Sequence, residues 1–182
     1  MSDREAVNDR LHFARRRLRE LEELNDGDLA GANSKDRQQL IQELFFHLVG
    51  SIDFLAQCIN VSQNLGIHAE EVYIKNVCSK LERANQIKRL LKQLYPRTRR
   101  MPLPPDPYSD KGCHFRIIVF RNRVCHHRDN PFFFRAGSEL QCSLFVDPRD
   151  TSIGGSKKPA LDELNHFWEL VNDKCQRVLA LL

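Results

Sequence analysis

The chain has no C-x-x-C pair; its six cysteines stand apart at positions 58, 78, 113, 125, 142 and 175. That spacing excludes a redox dithiol motif and a zinc ribbon, and makes reduced thiols the default. Glycine and proline are scarce, 8 of each in 182 residues, which excludes collagen-like and low-complexity classes. The apolar run over residues 44–52 falls far short of the roughly 20 residues that cross a bilayer. Met1-Ser2-Asp3-Arg4-Glu5 lacks the apolar stretch of a secretion signal. A cytoplasmic protein without membrane contact is expected. There is also no internal repeat.

What is present is the composition of a folded globular domain, with 41% hydrophobic and 29% charged residues. A single domain over residues 1–182 can bury roughly 70% of the surface its unfolded chain exposes, so it needs no covalent staple. Val7, Leu11, Ala14, Leu18 and Leu21 alternate steps of four and three, which predicts a helix over residues 3–25. A second helix, capped by Asn33 or Ser34 and running to about 65, carries an apolar stripe too broad for a surface helix and is expected at the centre. Gly66 suits its left-handed end.

A third pattern, residues 69–95, has Val77, Leu81, Ala84, Ile87, Leu91 and Leu94 inward, with Lys80, Arg83, Lys88, Arg89 and Lys92 outward. Prolines at 96, 102, 104, 105 and 107 make residues 96–111 an internal linker. A fourth helix starts near Gly112. Beyond Pro131 the apolar period becomes two, which predicts a β-hairpin insertion over residues 131–147, turning at Ala136-Gly137-Ser138. A last helix runs from about residue 160, with Pro159 in its first turn. The expected fold is all-α: an antiparallel bundle of about five helices with a small β-hairpin insertion.

The net charge of +4 is unevenly spread. Residues 75–135 hold 15 Lys and Arg against 4 Asp and Glu, a local +11 that leaves −7 elsewhere. A field of that sign attracts phosphate backbones, although the same lysines and arginines also suit a solvated helix face. Arg15-Arg16-Arg17-Leu18-Arg19, followed by Glu20, Glu22 and Glu23, reads instead as a helix with internal ion pairs.

The densest cluster of reactive side chains is Arg121-Asn122-Arg123-Val124-Cys125-His126-His127-Arg128, at the end of the fourth helix. Asn122 and His126 are four apart and share a helix face; Arg121 lies about 140° from His126. Arg121 and His126 therefore converge only through helix termination near Cys125 or through a second subunit. Imidazole exchanges a proton near neutral pH, and a guanidinium binds a phosphate bidentately. Together they suit metal-free cleavage of RNA, in which the 2′-hydroxyl is the nucleophile. Cys113-His114, Cys125-His126-His127 and Cys142 are zinc-type ligands without zinc-site spacing, so neither metal nor cofactor is expected.

Arg121-Asn122-x-x-x-His126 resembles the R-N-x-x-x-H form of the R-x(4 to 6)-H motif of the HEPN superfamily (higher eukaryotes and prokaryotes nucleotide-binding domains). Ser51-Ile52-Asp53-Phe54-Leu55-Ala56-Gln57, leading to Asn60, resembles the second helix of uncharacterised bacterial members. The resemblance implies a homodimeric, metal-independent endoribonuclease of toxin–antitoxin or phage-defence type, with RNA as substrate and an antitoxin as a further partner. It would make Arg121 the phosphate-binding residue, His126 or His127 the acid or base, and Asn122 the orienting group. Arg123, Arg128, Lys88, Arg89 and Lys92 would add nucleic-acid contacts. Arg128 stands where one family variant has a modifiable tyrosine, which departs from the nucleotidyltransferase-linked pattern.

Two other readings stay open: a non-catalytic module binding RNA or a nucleotide, and a dimeric interaction scaffold in which these polar groups tie helix ends. His47 and Asp53, interrupting the second helix, read as a satisfied structural pair, with Asp53 alternatively orienting a histidine of the motif. Trp168 reads as core or dimer surface, and at least one ring of Phe132-Phe133-Phe134 points away from the core.

Overall fold

The computed structural model describes residues 3–27, 34–94, 106–126, 132–135, 141–144 and 159–182, of which 25–27, 34–35, 124–126 and the two short strands are described by backbone alone. The fold is a helical bundle. Among these residues the elements are α1 (Asp3–Gly27), α2 (Ser34–Ser62), a 3-10 turn (Ala69–Glu71), α3 (Ile74–Lys80), α4 (Gln86–Leu94), α5 (Asp110–His126), β1 (Phe132–Arg135), β2 (Gln141–Leu144) and α6 (Ala160–Leu179). The strands pair antiparallel, with Phe132 opposite Leu144 and Arg135 opposite Gln141. The turn expected at Ala136-Gly137-Ser138 and most of the proline-rich linker lie outside the described residues.

α1 and α2 form an antiparallel pair whose register is fixed by polar contacts. The Arg10 guanidinium (Nη1) lies 3.2 Å from His47 Nδ1, Arg17 Nε lies 2.9 Å from a Glu43 carboxylate oxygen, and Arg37 donates to the Leu24 carbonyl at 2.9 Å. Arg16 and Arg17 both pair with Glu20, in keeping with a solvated, internally paired helix face. Trp168 of α6 donates its indole N–H to the Leu11 carbonyl at 2.9 Å, which ties α6 to α1.

α2 ends at Ser62, three residues earlier than the apolar pattern suggests, in a left-handed cap. Leu65 N–H donates to Asn60 O at 3.0 Å and Asn64 N–H to Val61 O at 3.1 Å, with Asn64 at φ 48°. The first left-handed residue is thus Asn64; Gly66, at φ 64°, is the second. The Asn60 side chain then holds the turn by bonding both N–H and C=O of Ile67.

The single helix expected over 69–95 is two helices. Leu81 is extended (ψ 147°), and the Asn85 side chain accepts hydrogen bonds from Ile87 N–H and Lys88 N–H, starting α4 afresh. Both pieces keep Val77, Leu81, Ile87, Leu91 and Leu94 inward, so the apolar stripe survives a break that periodicity cannot reveal.

α5 begins two residues before Gly112. Ser109 Oγ accepts from Gly112 N–H at 3.2 Å, an N-cap, while its hydroxyl donates to the Asp106 carbonyl. A Cβ at Gly112 would stand 2.4 Å from Asp106 O and 2.7 Å from Pro107 C, so only glycine lets the incoming chain cross here. Every residue from 112 to 120 is buried, which makes α5, not α2, the helix enclosed on all sides.

Phe45 of α2, Phe120 of α5 and Phe167 of α6 meet at the centre; the Phe45 and Phe120 rings stack at 5.0 Å. Beside them Arg116 forms a bidentate pair with Glu163, 2.9 Å from Oε1 and 3.2 Å from Oε2, at 1% and 3% side-chain exposure. The guanidinium also lies over the rings of Tyr108, Phe120 and Phe167 at 5.3 to 5.7 Å.

The bundle is not antiparallel throughout. Residues 116 and 120 meet 163 and 167, so α5 and α6 run in the same direction, and the Phe45–Phe167 and Ser51–Cys175 contacts align α2 with α6 likewise. Short connections force neighbouring helices antiparallel, but more than thirty residues separate α5 from α6, and that length frees the chain to return. α2 also departs from the sequence expectation in another way: residues 36–62 are long and apolar enough, by length and composition, to cross a membrane, and 56% of the apolar window is buried inside the bundle. Burial against α1, α5 and α6 accounts for that apolarity.

Two buried polar groups give tests of this core. Replacing Glu163 with Gln leaves the Arg116 charge without its counterion and should cost about 3–5 kcal/mol in urea denaturation, whereas the double change Arg116→Met with Glu163→Leu should recover most of that loss. His114 is 1% exposed with both ring nitrogens unpartnered among the described residues, and burial lowers its pKa to about 4, with Lys174 and His166 pushing the same way and Asp110 opposing. Below pH 6.5 the unfolded chain takes up a proton that the folded one refuses, so this group's contribution is present above 6.5 and is lost as pH falls toward 4. The parent should lose up to about 3 kcal/mol more than His114→Leu over that interval, read as the shift in urea midpoint.

Candidate functional site

The direction in which each α5 side chain leaves the helix follows from the ion pair. With Arg116 turned to α6, position 121 lies about 140° further round the axis and meets α2. The Arg121 side chain is half-buried; its Nη1 donates to Asn122 Oδ1 at 3.1 Å, and its Nε is buried with no partner among the described residues. Asp53, exposed on α2, feels this charge: loss of hydration raises its pKa and the Arg121 charge pulls it back down. No carboxylate lies within ion-pair distance of Arg121 among the described residues. A guanidinium oriented by an amide and free of an ion pair among the described residues has the chemistry to bind an oxyanion.

Among the sequence-derived residues, the structure brings together Arg121 and Asn122. α5 continues without a break to His126, so positions 121 and 126 of one chain are separated by that same 140° about the axis, while 122 and 126 share a face. Convergence by helix termination near Cys125 therefore does not occur. The side chain of His126 is not described, and His127 and Arg128 lie outside the described residues. Arg123 is half-buried on the far side of α5 from Arg121, two residues on.

The lysine and arginine row on α4 divides. Arg89 and Lys92 are exposed, but Lys88 folds back and donates from Nζ to the Leu81 carbonyl at 2.6 Å, closing the C-terminal end of α3. Lys88 thus spends one of its three ammonium donors on a helix end.

His47 and Asp53 do not form a buried pair. They lie about 120° apart on the outer arc of α2, where His47 meets Arg10 of α1 and Asp53 feels the charge of Arg121 on α5. Burial, together with Arg10 and Arg17, lowers the His47 pKa against the opposing pull of Glu43. A further group forms on this arc, which sequence reasoning missed: Arg10, Phe13 and Phe46 gather around His47, with Phe13 41% and Phe46 46% exposed. The i, i+4, i+8 spacing of Phe46, Gly50 and Phe54 is the one hint, and only the α1–α2 register brings Arg10 to it.

Among the described residues no three His, Cys, Asp or Glu side chains come together as metal ligands. Cys113 instead donates to backbone carbonyls of Pro107 and Tyr108, and the side chains of Cys125, His126, His127 and Cys142 are not among those described. A cavity of about 180 Å³ opens where α5 and α6 begin, lined by Tyr108, Cys113, Asp162, Glu163, His166 and Phe167. Its Glu163 carboxylate is already committed to Arg116, so the space lies beside the ion pair, near the start of α5 and about two turns from Arg121. No known protein family, curated protein or solved structure matches the chain.

Proposed function

We propose that the protein is a metal-independent endoribonuclease of HEPN type, active as a homodimer. The observation that carries this reading is the Arg121 guanidinium, steered by Asn122 and without a carboxylate at ion-pair distance among the described residues. In this reading Arg121 grips the scissile phosphate and stabilises the charge that grows on its oxygens, and Asn122 holds Arg121 in place. The substrate's 2′-hydroxyl attacks the adjacent phosphorus while the bond to the 5′-oxygen breaks. His126 accepts the hydroxyl proton or returns one to the departing oxygen, leaving a cyclic phosphate and a free 5′-hydroxyl.

The uninterrupted helix through His126 bears on the oligomer that this chemistry requires. One chain holds guanidinium and imidazole positions on different sides of α5. Two copies facing across this helix end would pair the imidazole of each with the guanidinium of the other. RNA as ligand is favoured by the local +11 charge over residues 75–135.

The test is cleavage of an end-labelled single-stranded RNA in the presence of EDTA. Parent protein should cut it. Arg121→Ala and His126→Ala should each lower the rate by at least about 10²-fold, the scale of losing one transition-state donor. Arg121→Lys, which keeps the charge but loses the fork, should stay impaired. Binding that weakens steeply with salt, without any cleavage, would make the protein an RNA-binding module instead. Loss of the dimer in Arg121→Ala with no effect of RNA would make it a scaffold.

A further inference from the structure

The outer arc of α2 holds a group that the reading above does not use. Phe46, Gly50, Asp53 and Phe54 fall on one arc of α2; Asp53 lies within the electrostatic reach of Arg121, and Phe46 lies seven residues from Asp53, roughly 10 Å along the helix. From α1, Arg10 reaches over this arc, its guanidinium 5.1 Å from the Phe46 ring centre and 5.5 Å from that of Phe54. Its Nη1 lies 3.2 Å from His47 Nδ1. Because a guanidinium only donates, Nδ1 is the acceptor, which leaves the imidazole Nε2–H as a donor. Phe13 packs its ring 5.4 Å from that of His47 and Phe46 packs at 5.6 Å, yet both phenyl groups remain more than 40% exposed.

The charge here is uncompensated. Arg16 and Arg17 are paired with Glu20 and Glu43, whereas Arg10 has no carboxylate within ion-pair distance among the described residues. Two half-exposed rings, a cation laid against one of them and an imidazole N–H complement a flat, hydrogen-bonding group that carries negative charge. The area favours a small occupant: two half-exposed phenyl groups present on the order of 200 Å², against about 800 Å² per partner for a stable protein interface.

We infer that Phe13 and Phe46, with Arg10 and His47, form a base-stacking subsite for a nucleotide flanking the scissile phosphate, so that the substrate is RNA with unstacked bases. The inference rests on the ribonuclease reading. One strand runs from Arg121 past Asp53 and along α2, where a base lies on Phe46 and Phe13 while Arg10 meets its phosphate. Duplex RNA, whose bases face one another, cannot use this subsite.

The test uses the full chain with a fluorescein-labelled oligouridylate and an abasic phosphodiester of equal length. Changing Phe13 and Phe46 together to Ala, with helicity checked by circular dichroism, should raise both Kd and KM for the oligouridylate about tenfold, the scale of losing a base stack. kcat should move less than twofold. The abasic strand should bind parent and double variant alike, and Phe46→Trp should keep parental affinity.

Oligouridylate Kd and KM within twofold of parent in the double variant would overturn the subsite while leaving the nuclease reading intact. Ring-dependent binding with no cleavage by the parent would end the nuclease reading and leave the subsite standing. Absence of binding by the parent would end both, and conversion of a dimer to a monomer by the double change would assign this face to contact between copies.

Discussion

The Arg116–Glu163 pair is the constraint around which the rest of the bundle is arranged. Two charges with almost no exposure survive only because the guanidinium is held bidentately and stacked among Tyr108, Phe120 and Phe167. The attraction in so dry a place is strong, but desolvation offsets much of it, so the pair contributes specificity of arrangement more than net stability. It fixes which way α5 is turned and which turn of α6 it meets. A rotation of α5 by one residue would leave both charges without partners in an apolar interior.

That rotational setting is what places Arg121. The helical period carries the side chain from the α6 side at 116 about 140° round the axis at 121, where its charge is felt by Asp53 of α2 and it lies away from the cavity near Glu163. The same period keeps His126 off that side, since α5 does not end before it. An arginine turned to α2, with its amide neighbour holding it, thus stands at the rim of a core that one buried ion pair has already oriented. The outer arc of α2 joins this rim to the Arg10, Phe13, Phe46 and His47 group, so the two polar clusters share one helix although their partners come from α5 and α1.

Much of this was legible in the residues alone. The apolar steps of four and three marked α1, α2, α5 and α6, because a 3.6-residue period is written directly into a sequence when one face is buried. The cluster from Arg121 onward stood out for the same reason, as polar residues following an apolar run. Other features were not legible. The break before α4 depends on Asn85 capping a new helix, and an asparagine there looks like any solvated residue. Lys88 carries a second task that its spacing does not show: Leu81 ends α3 with a carbonyl that needs a donor, and the lysine stem is long enough to supply one. His47 and Asp53 looked like partners because both interrupt the apolar pattern of one helix, yet about 120° of rotation separates them.

By itself, then, the chain determined which segments are helices, which faces are apolar, and where the reactive side chains gather, since all three follow from local spacing. Tertiary structure decided which helices run parallel, that α5 is the enclosed one, that Arg116 is spent on Glu163 while Arg121 is not, and that Arg10 reaches Phe46. Each of those depends on the relative rotation and register of helices far apart in sequence. Packing complementarity and charge pairing set that rotation and register, and a one-dimensional pattern does not encode them separately.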